Sequence, residues 1–338
     1  MKRKIALLLV IVLCLSIFAG CSNDAKDASG GNETTYTIKA GHGTAETTAL
    51  HKGFVEFKRL VEERSEGKIK VEIFPNQQLG GDRELIEAVQ LGNIQMTAPS
   101  TAPLAAFDPA FYVLDIPFLF SDRATVYEVC DGPAGQKLLD TLSEYDIKGL
   151  AYWENGFRNF TNSKLPVRSP EDLQGIKIRT MENEIHMEAW KLLGANPTPM
   201  AFGELYTALQ QKTVDAQENP FELIYATKFH EVQKYITKTN HIYSAYIPMI
   251  NEDFFNSLPA EYQDIIIQSI NDATELQRKA AEENETEFIG LMQETNEIIE
   301  LTDAELQAFR EKMAPVLDLV KTKAGEDMVN LFTEAAGY

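Results

Sequence analysis

Cysteine is nearly missing: Cys14, Cys21 and Cys130 are the only three in 338 residues. Cys14 falls inside an N-terminal apolar run and Cys21 directly after it, which leaves Cys130 alone. A single thiol forms no internal disulfide, so no disulfide framework is expected to brace the fold. Histidine is scarce as well. His42, His51, His186, His230 and His241 show no metal-ligand spacing and read as surface or structural side chains. There is no HExxH, no CxxC and no Walker-type phosphate loop. The stretch GHGTAE at Gly41–Glu46 half matches a dinucleotide loop but lacks the third glycine. No metal, no cofactor and no catalytic constellation is therefore expected. Paired carboxylates such as Glu62 and Glu63 fall on helix faces that look solvated. Positive charge is the other shortage, with 31 Lys and Arg against 51 Asp and Glu and a net charge of −20. So acidic a chain is a poor nucleic-acid binder and does not adhere to anionic lipid through its surface. An anionic ligand would need locally focused positive charge.

Long apolar runs are confined to Ile5–Phe18, too short for a membrane span. Lys2, Arg3 and Lys4 precede it, and Ala19 and Gly20 supply small residues before Cys21. Residues 1–20 thus read as an export signal. The run LSIFAGC resembles a bacterial lipobox, which implies that Cys21 receives lipid and becomes the mature N-terminus. Two acyl chains suffice for stable anchoring at the extracytoplasmic face of the cell membrane. Residues 21–35, small and polar, read as a flexible tether. Losing three basic residues with the signal takes the charge from −20 to −23. About three hundred mature residues are enough for two domains with proper cores.

From Tyr36 onward, strand-like and helix-like runs alternate. Tyr36–Ala40 reads as a strand and Leu50–Arg64 as a helix. KIKVEIF at Lys68–Phe74 alternates strictly and predicts a strand. Asp82–Leu91 predicts a helix capped by Asp82 and ended by Gly92, followed by a strand over Ile94–Ala98. This pattern argues for an α/β fold with largely parallel sheets. The second half repeats it: Glu84, Leu85, Ala88, Gln90 and Ile94 align with Glu204, Leu205, Ala208, Gln210 and Val214 at a constant offset of 120. Two related lobes facing each other across a cleft are expected, with ligand at the strand ends. Between Pro259 and Glu297 only Gly290 breaks helical character, so either one helix ties both lobes together or two helices meet at a bend. Thr302-Asp-Ala-Glu305 is a capping box for a further helix.

GIKIRT at Gly175–Thr180 alternates and then ends on a charge, which places Arg179 where a strand enters the helix at Glu184–Leu193. Arg158 sits between YWENGF and NFTN, and Asn219 closes VDAQEN just before Pro220. If these strand ends belong to one sheet, two guanidiniums and an amide converge. An arginine fork donates two parallel hydrogen bonds to a carboxylate. Phe202 would offer an apolar face to a carbon chain.

These runs carry a family resemblance. WENGFRNFTN at Trp153–Asn162, PEDLQGIKIR at Pro170–Arg179 and LGANPTPMAFGELYTAL at Leu193–Leu209 resemble the substrate-binding proteins of tripartite ATP-independent periplasmic (TRAP) transporters, the DctP family. VDAQENP at Val214–Pro220 and EVQKY at Glu231–Tyr235 complete the ordered set, which covers essentially the whole mature chain. The resemblance implies a two-lobed periplasmic-binding-protein fold, type II-like, with hinge strands and a long inter-lobe helix. Residues 36–155 with about 245–285 would form lobe I; residues 156–244 with about 286–338 would form lobe II. It implies that Arg179 pairs with a ligand carboxylate, that Arg158 and Asn219 support it, and that Phe202 packs nearby. Lobe I would contribute His42, Asp82 and Ser100. Sialic-acid binders carry an acidic residue near Pro99, so this chain departs from them; Ala216 replaces the usual glycine of VDGQEN.

The expected function is therefore an extracytoplasmic solute-binding protein that captures an organic acid. It would deliver this acid to the small and large integral membrane subunits of a permease. Polar groups in lobe I favour a sugar acid such as a uronate; a C4-dicarboxylate is the alternative. A rival class is an exported hydrolase or lyase using His42 and Asp82 as its base. A chemoreceptor partner would share the same site.

Overall fold

The structure, a computed structural model, describes residues 35–338. The export signal, the lipidation of Cys21 and all of the tether but Thr35 lie outside the described residues. With strands numbered along the chain, β1 (Tyr36–Gly41) and β2 (Ile69–Phe74) pair in parallel from Tyr36↔Ile69 to Gly41↔Phe74. Their alternation puts Ile38, Ala40, Ile69 and Val71 in the core. With β3 (Met96–Thr97), β4 (Ile147–Gly149) and β12 (Met249–Asn251) they form a five-stranded sheet ordered β2-β1-β3-β12-β4. A six-stranded sheet contains β6 (Asn159–Asn162), β7 (Lys177–Thr180), β8 (Asn196–Pro199), β9 (Ala216–Asn219), β10 (Tyr235–Lys238) and β13 (Glu297–Glu300), in the order β13-β10-β6-β9-β7-β8. The repeated sequence window does the same job in each: the helix Asp82–Gln90 leads into β3, and the helix Leu205–Gln210 leads into β9.

Each sheet centres one lobe, and an antiparallel ribbon of β5 (Trp153–Phe157) and β11 (Tyr243–Tyr246) joins them. The chain leaves the first sheet at β4, passes through β5 to β6, and returns from β10 through β11 to β12. Two strands crossing side by side make a hinge. Gly156 sits in that ribbon at φ +122°, a conformation costly for any side chain, and an added Cβ would lie 3.2 Å from Pro220 Cβ.

Ala260–Met292 is one continuous helix of 33 residues, so the bend alternative is set aside. At about 1.5 Å per residue it spans about 50 Å. Ile266, Ile270 and Ala273 pack with Phe54, Phe57 and Val71 of the first lobe. About four turns further on, Phe288 and Met292 pack with Leu205, Phe221 and Phe229 of the second. The helix also clamps the hinge. Gln277 accepts from Glu154 N–H at 2.7 Å and donates to Glu154 C=O at 2.7 Å, as a further strand would. Trp153 Nε1 donates to Thr274 Oγ1 at 2.8 Å. The final helices, Asp303–Met313, Val316–Ala324 and Glu326–Ala336, place Phe309, Val316 and Phe332 in one core with both Phe111 and Trp190.

Two local readings need correction. Gly81, not Asp82, is the N-cap of the helix Asp82–Gln90. Asp82 is the first helical residue, and its side chain turns away to accept from Ser100 N–H at 3.1 Å. The strand expected over Ile94–Ala98 is only Met96–Thr97. Asn93 and Ile94 N–H are still bonded to Ala88 C=O from the preceding helix end, which leaves little chain free to pair. The capping box at Thr302 forms as its spacing predicts, and another forms at Ser169 with Asp172.

Candidate functional site

Three adjacent strands of the second sheet build the positive end of a cleft. β7 and β9 run parallel, and β6 runs antiparallel to β9 with Asn159 opposite Asn219. That reversal brings the start of β6, where Arg158 sits, to the same edge as the carboxyl ends of β7 and β9. Arg158, Arg179 and Asn219 consequently line one cavity, together with Phe202, Asp82 and Ser100. Its volume is about 70 Å³, several times what one water needs.

The two arginines are in opposite situations. Arg158 is fully buried and saturated. Its Nε donates to Glu218 Oε2, and its Nη2 donates to Glu218 Oε1 at 2.9 Å and Asn219 Oδ1 at 3.0 Å. Arg179 is 2% exposed, and only its Nε is tied, to Met200 C=O at 2.9 Å. Nη1 is buried with no partner, and no carboxylate of the described residues lies within ion-pair distance. Burial, and then the charge of Arg158, lower the guanidinium to about 10, so it remains a cation at neutral pH. Alternation by itself would leave Arg179 on the face of solvated Lys177; the fold instead buries it at the cleft, fixed at one end and free at the other. Such an end is prepared for an anion.

The carboxylate that neutralises Arg158 was not singled out from the sequence. Burial acts to raise Glu218, but Arg158 and the imidazoles of His186 and His241 outweigh it and hold the carboxyl well below the usual range. His241 Nε2 lies 3.2 Å from Glu218 Oε2, and His186 Nδ1 lies 3.8 Å from Oε1, an ion-pair distance rather than a hydrogen bond. Burial lowers His186, but Asp115, 2.9 Å from its Nε2, outweighs that and lifts the imidazole to about 9. Burial keeps His241 low, hence neutral. The only advance signal for this network was an acidic residue inside an otherwise neutral strand, next to Asn219.

The first lobe and the hinge contribute acceptors and hydroxyls. Burial pushes Asp82 up to about 6. Ser100 Oγ, Tyr246 OH and Asn155 Oδ1 are buried without partners, and all three residues line the cavity. Tyr246 and Asn155 come from the two hinge strands, a location that no local pattern marks. Phe202 also lines the cavity, set edge-on to Phe229 at 5.8 Å between centroids. His42 is not brought to the site. It is stacked on Phe54, its Nε2 lies 3.0 Å from His51 Nδ1, and burial lowers it to about 3. His42 directly follows β1 and its ring packs into the lobe core, while the following Gly43 and Thr44 reach the cavity. Arg83, also not anticipated, lines the cavity with a side chain 58% exposed and paired at 3.4 Å with Glu87. Among the described residues no group of His, Cys, Asp and Glu could hold a metal ion, and no helix is long and apolar enough to cross a membrane.

Residues 40–323 match the family described as bacterial extracellular solute-binding protein, family 7, the DctP family. The chain belongs to that family. This solute-binding protein is 38% identical over 277 residues to the 2,3-diketo-L-gulonate-binding periplasmic protein of Escherichia coli, covering 82% of this chain and 84% of the relative. It is 35% identical over 310 residues to the C4-dicarboxylate-binding protein DctB of Bacillus subtilis, covering 91% and 89%. The fold resembles the crystal structure of a sugar acid binding protein from Advenella mimigardefordensis in complex with galactonate. The TM-score is 0.88 at 40% identity, covering 90% of this chain and 98% of that one. The two-lobed fold expected from the motifs is therefore established. So is the class of function: extracellular solute binding in the service of TRAP-type transport of organic acids.

Proposed function

We propose that the protein captures a sugar acid with a single carboxylate, such as a uronate or an aldonate, and hands it to a two-subunit TRAP permease. The observation that carries this reading is the unpartnered Nη1 of Arg179 in the same cavity as the unpartnered oxygens of Ser100, Tyr246 and Asn155. The guanidinium fork suits one carboxylate, and the oxygens suit hydroxyls. Asp82 would repel a second ligand carboxylate while ionised. Relatives named for binding diketogulonate and galactonate agree with the reading. The packing of His42 onto Phe54 and His51 supports a reading of binding without catalysis, because Asp82 at the cavity then lacks the imidazole with which the rival enzyme would pair it. A C4-dicarboxylate is the second reading, favoured by Arg83 at the cavity and by the relative named for such ligands.

A thermal-shift panel separates these readings. Galactonate and glucuronate should raise the melting temperature, by an amount equivalent to about 2.7 kcal/mol at a hundredfold excess over Kd. A larger shift with succinate would establish the dicarboxylate reading. Stabilisation by neutral sugars and by no carboxylate would overturn the assignment to an acid.

The basic start, the short apolar run and Cys21 support anchoring through lipid at the extracytoplasmic face. The substitution Cys21→Ser should move the protein from the membrane to the soluble fraction in cell fractionation. Unchanged membrane association would reject the anchor.

A further inference from the structure

Behind the ligand cavity lies a carboxyl group that binding itself does not use. Glu222 is 3% exposed, in the helix Phe221–Ala226 directly after β9 and Pro220. Its Oε1 accepts from Ala49 N–H at 2.8 Å and from Asn284 Nδ2 at 2.5 Å. Ala49 opens the first-lobe helix Ala49–Arg64, and Asn284 belongs to the long helix. One side chain of the second lobe thus reaches both the first-lobe helix, which could part from it when the cleft opens, and the long helix that spans the two lobes. The neighbouring residues in each segment, Leu50 and Leu223, line the cavity. The clasp therefore sits directly behind two walls of the site, one from each lobe.

The bonding is lopsided. Oε1 has two donors, whereas Oε2 is buried and has none. A neutral acid fits that arrangement, with Oε1 as the carbonyl and the proton on Oε2. An ionised carboxylate would leave charge on an oxygen that nothing solvates, which is costly. The facing groups do not cure this. Lys52 Nζ donates at 3.0 Å to Asn284 Oδ1; Glu154 on β5 raises the carboxyl, and Tyr246 on β11 is a neutral phenol. Burial, the largest cause, pushes Glu222 up to about 7 against the smaller pull of Asn284, Ala49 and Lys52.

We propose that Glu222 is a positioning residue for solute capture: as a neutral acid it clasps the two lobes behind the cavity, and it releases them when it ionises in an opened, hydrated cleft. In water a glutamic acid titrates near about 4.3. With the clasp formed, as in this structure, the carboxyl is raised to about 7, so forming the clasp takes up a proton, is favoured in acid, and loses that advantage as pH rises through about 7. Capture should strengthen as the medium acidifies. The inference goes beyond the sugar-acid reading and does not depend on which acid is bound.

The test compares the full-length protein with Glu222→Gln, an isosteric and permanently neutral side chain. Both are titrated calorimetrically with D-galactonate, D-glucuronate and succinate at two pH values on either side of the transition, one mildly acidic and one mildly alkaline. The ratio of the wild-type to the variant dissociation constant should grow about tenfold or more from the acidic to the alkaline condition. Asp82 is present in both proteins, so its own titration cancels in that ratio. A ratio that does not change with pH overturns the proposal. If none of the three probes binds, the reading of the ligand fails, yet the clasp is still decided by small-angle X-ray scattering without ligand. The wild type should then be more compact in the acidic than in the alkaline buffer while Glu222→Gln keeps one size in both, and an identical response of the two proteins to pH overturns it.

Discussion

Arg179→Ala should weaken solute binding by roughly thirty- to several-thousand-fold while leaving the fold intact. The Arg179 guanidinium is buried and tied through Nε to Met200 C=O, and no carboxylate among the described residues lies within ion-pair distance of it. A ligand carboxylate would be its ion-pair partner, and losing one member of a buried charge pair costs about 2–5 kcal/mol. Arg179→Lys should be nearly as damaging, because an ammonium cannot hold Met200 C=O and present a planar fork together. Asn219→Ala should cost less: its Oδ1 accepts from Arg158 and its Nδ2 donates to Gln217 Oε1 at 2.5 Å, so its role is mainly to hold Arg158. Calorimetric titration, with circular dichroism as the control for folding, decides the matter. Wild-type affinity in Arg179→Ala would mean that the carboxylate is held elsewhere.

The second large effect is on stability. Glu218→Ala should destabilise the protein by about 3–5 kcal/mol, since it strands a buried arginine without its counter-ion. Both side chains of the Arg158–Glu218 pair are completely buried, so no water can take over the lost partner. His186, held protonated by its carboxylate neighbours, would lose one of them as well. Replacing Arg158 and Glu218 together by methionine should recover much of the loss, because desolvating an ion pair costs about as much as the pair returns. Denaturant unfolding of the single and double variants measures both. A double variant as unstable as Glu218→Ala would show that the damage comes from lost packing and not from an orphaned charge.

Much of this protein is settled by short-range sequence. Strict alternation in Ile69–Phe74 makes a strand because a period of two puts Ile69 and Val71 on one face. The capping boxes at Ser169 and Thr302 start their helices because the third residue on can return a hydrogen bond. The ordered motifs around Arg158, Arg179 and Asn219 pointed to one sheet edge and to an anion, and the three side chains do meet in one cavity. What lies nearby in the chain sufficed for all of this. Which arginine stays available was beyond it. Arg158 is neutralised by a residue sixty positions away through the antiparallel register of β6 and β9, and that register depends on how the whole sheet assembles. His42 stands beside residues that reach the cavity, yet its own ring is stacked on Phe54 of the neighbouring helix. Tyr246, Asn155 and Glu222 gain their places from the hinge and from the seam between lobes, where residues far apart in sequence meet. Local periodicity specifies which face of an element is apolar; it carries no information on which charge a distant strand will bring opposite, and that pairing decides where this protein keeps a free cation.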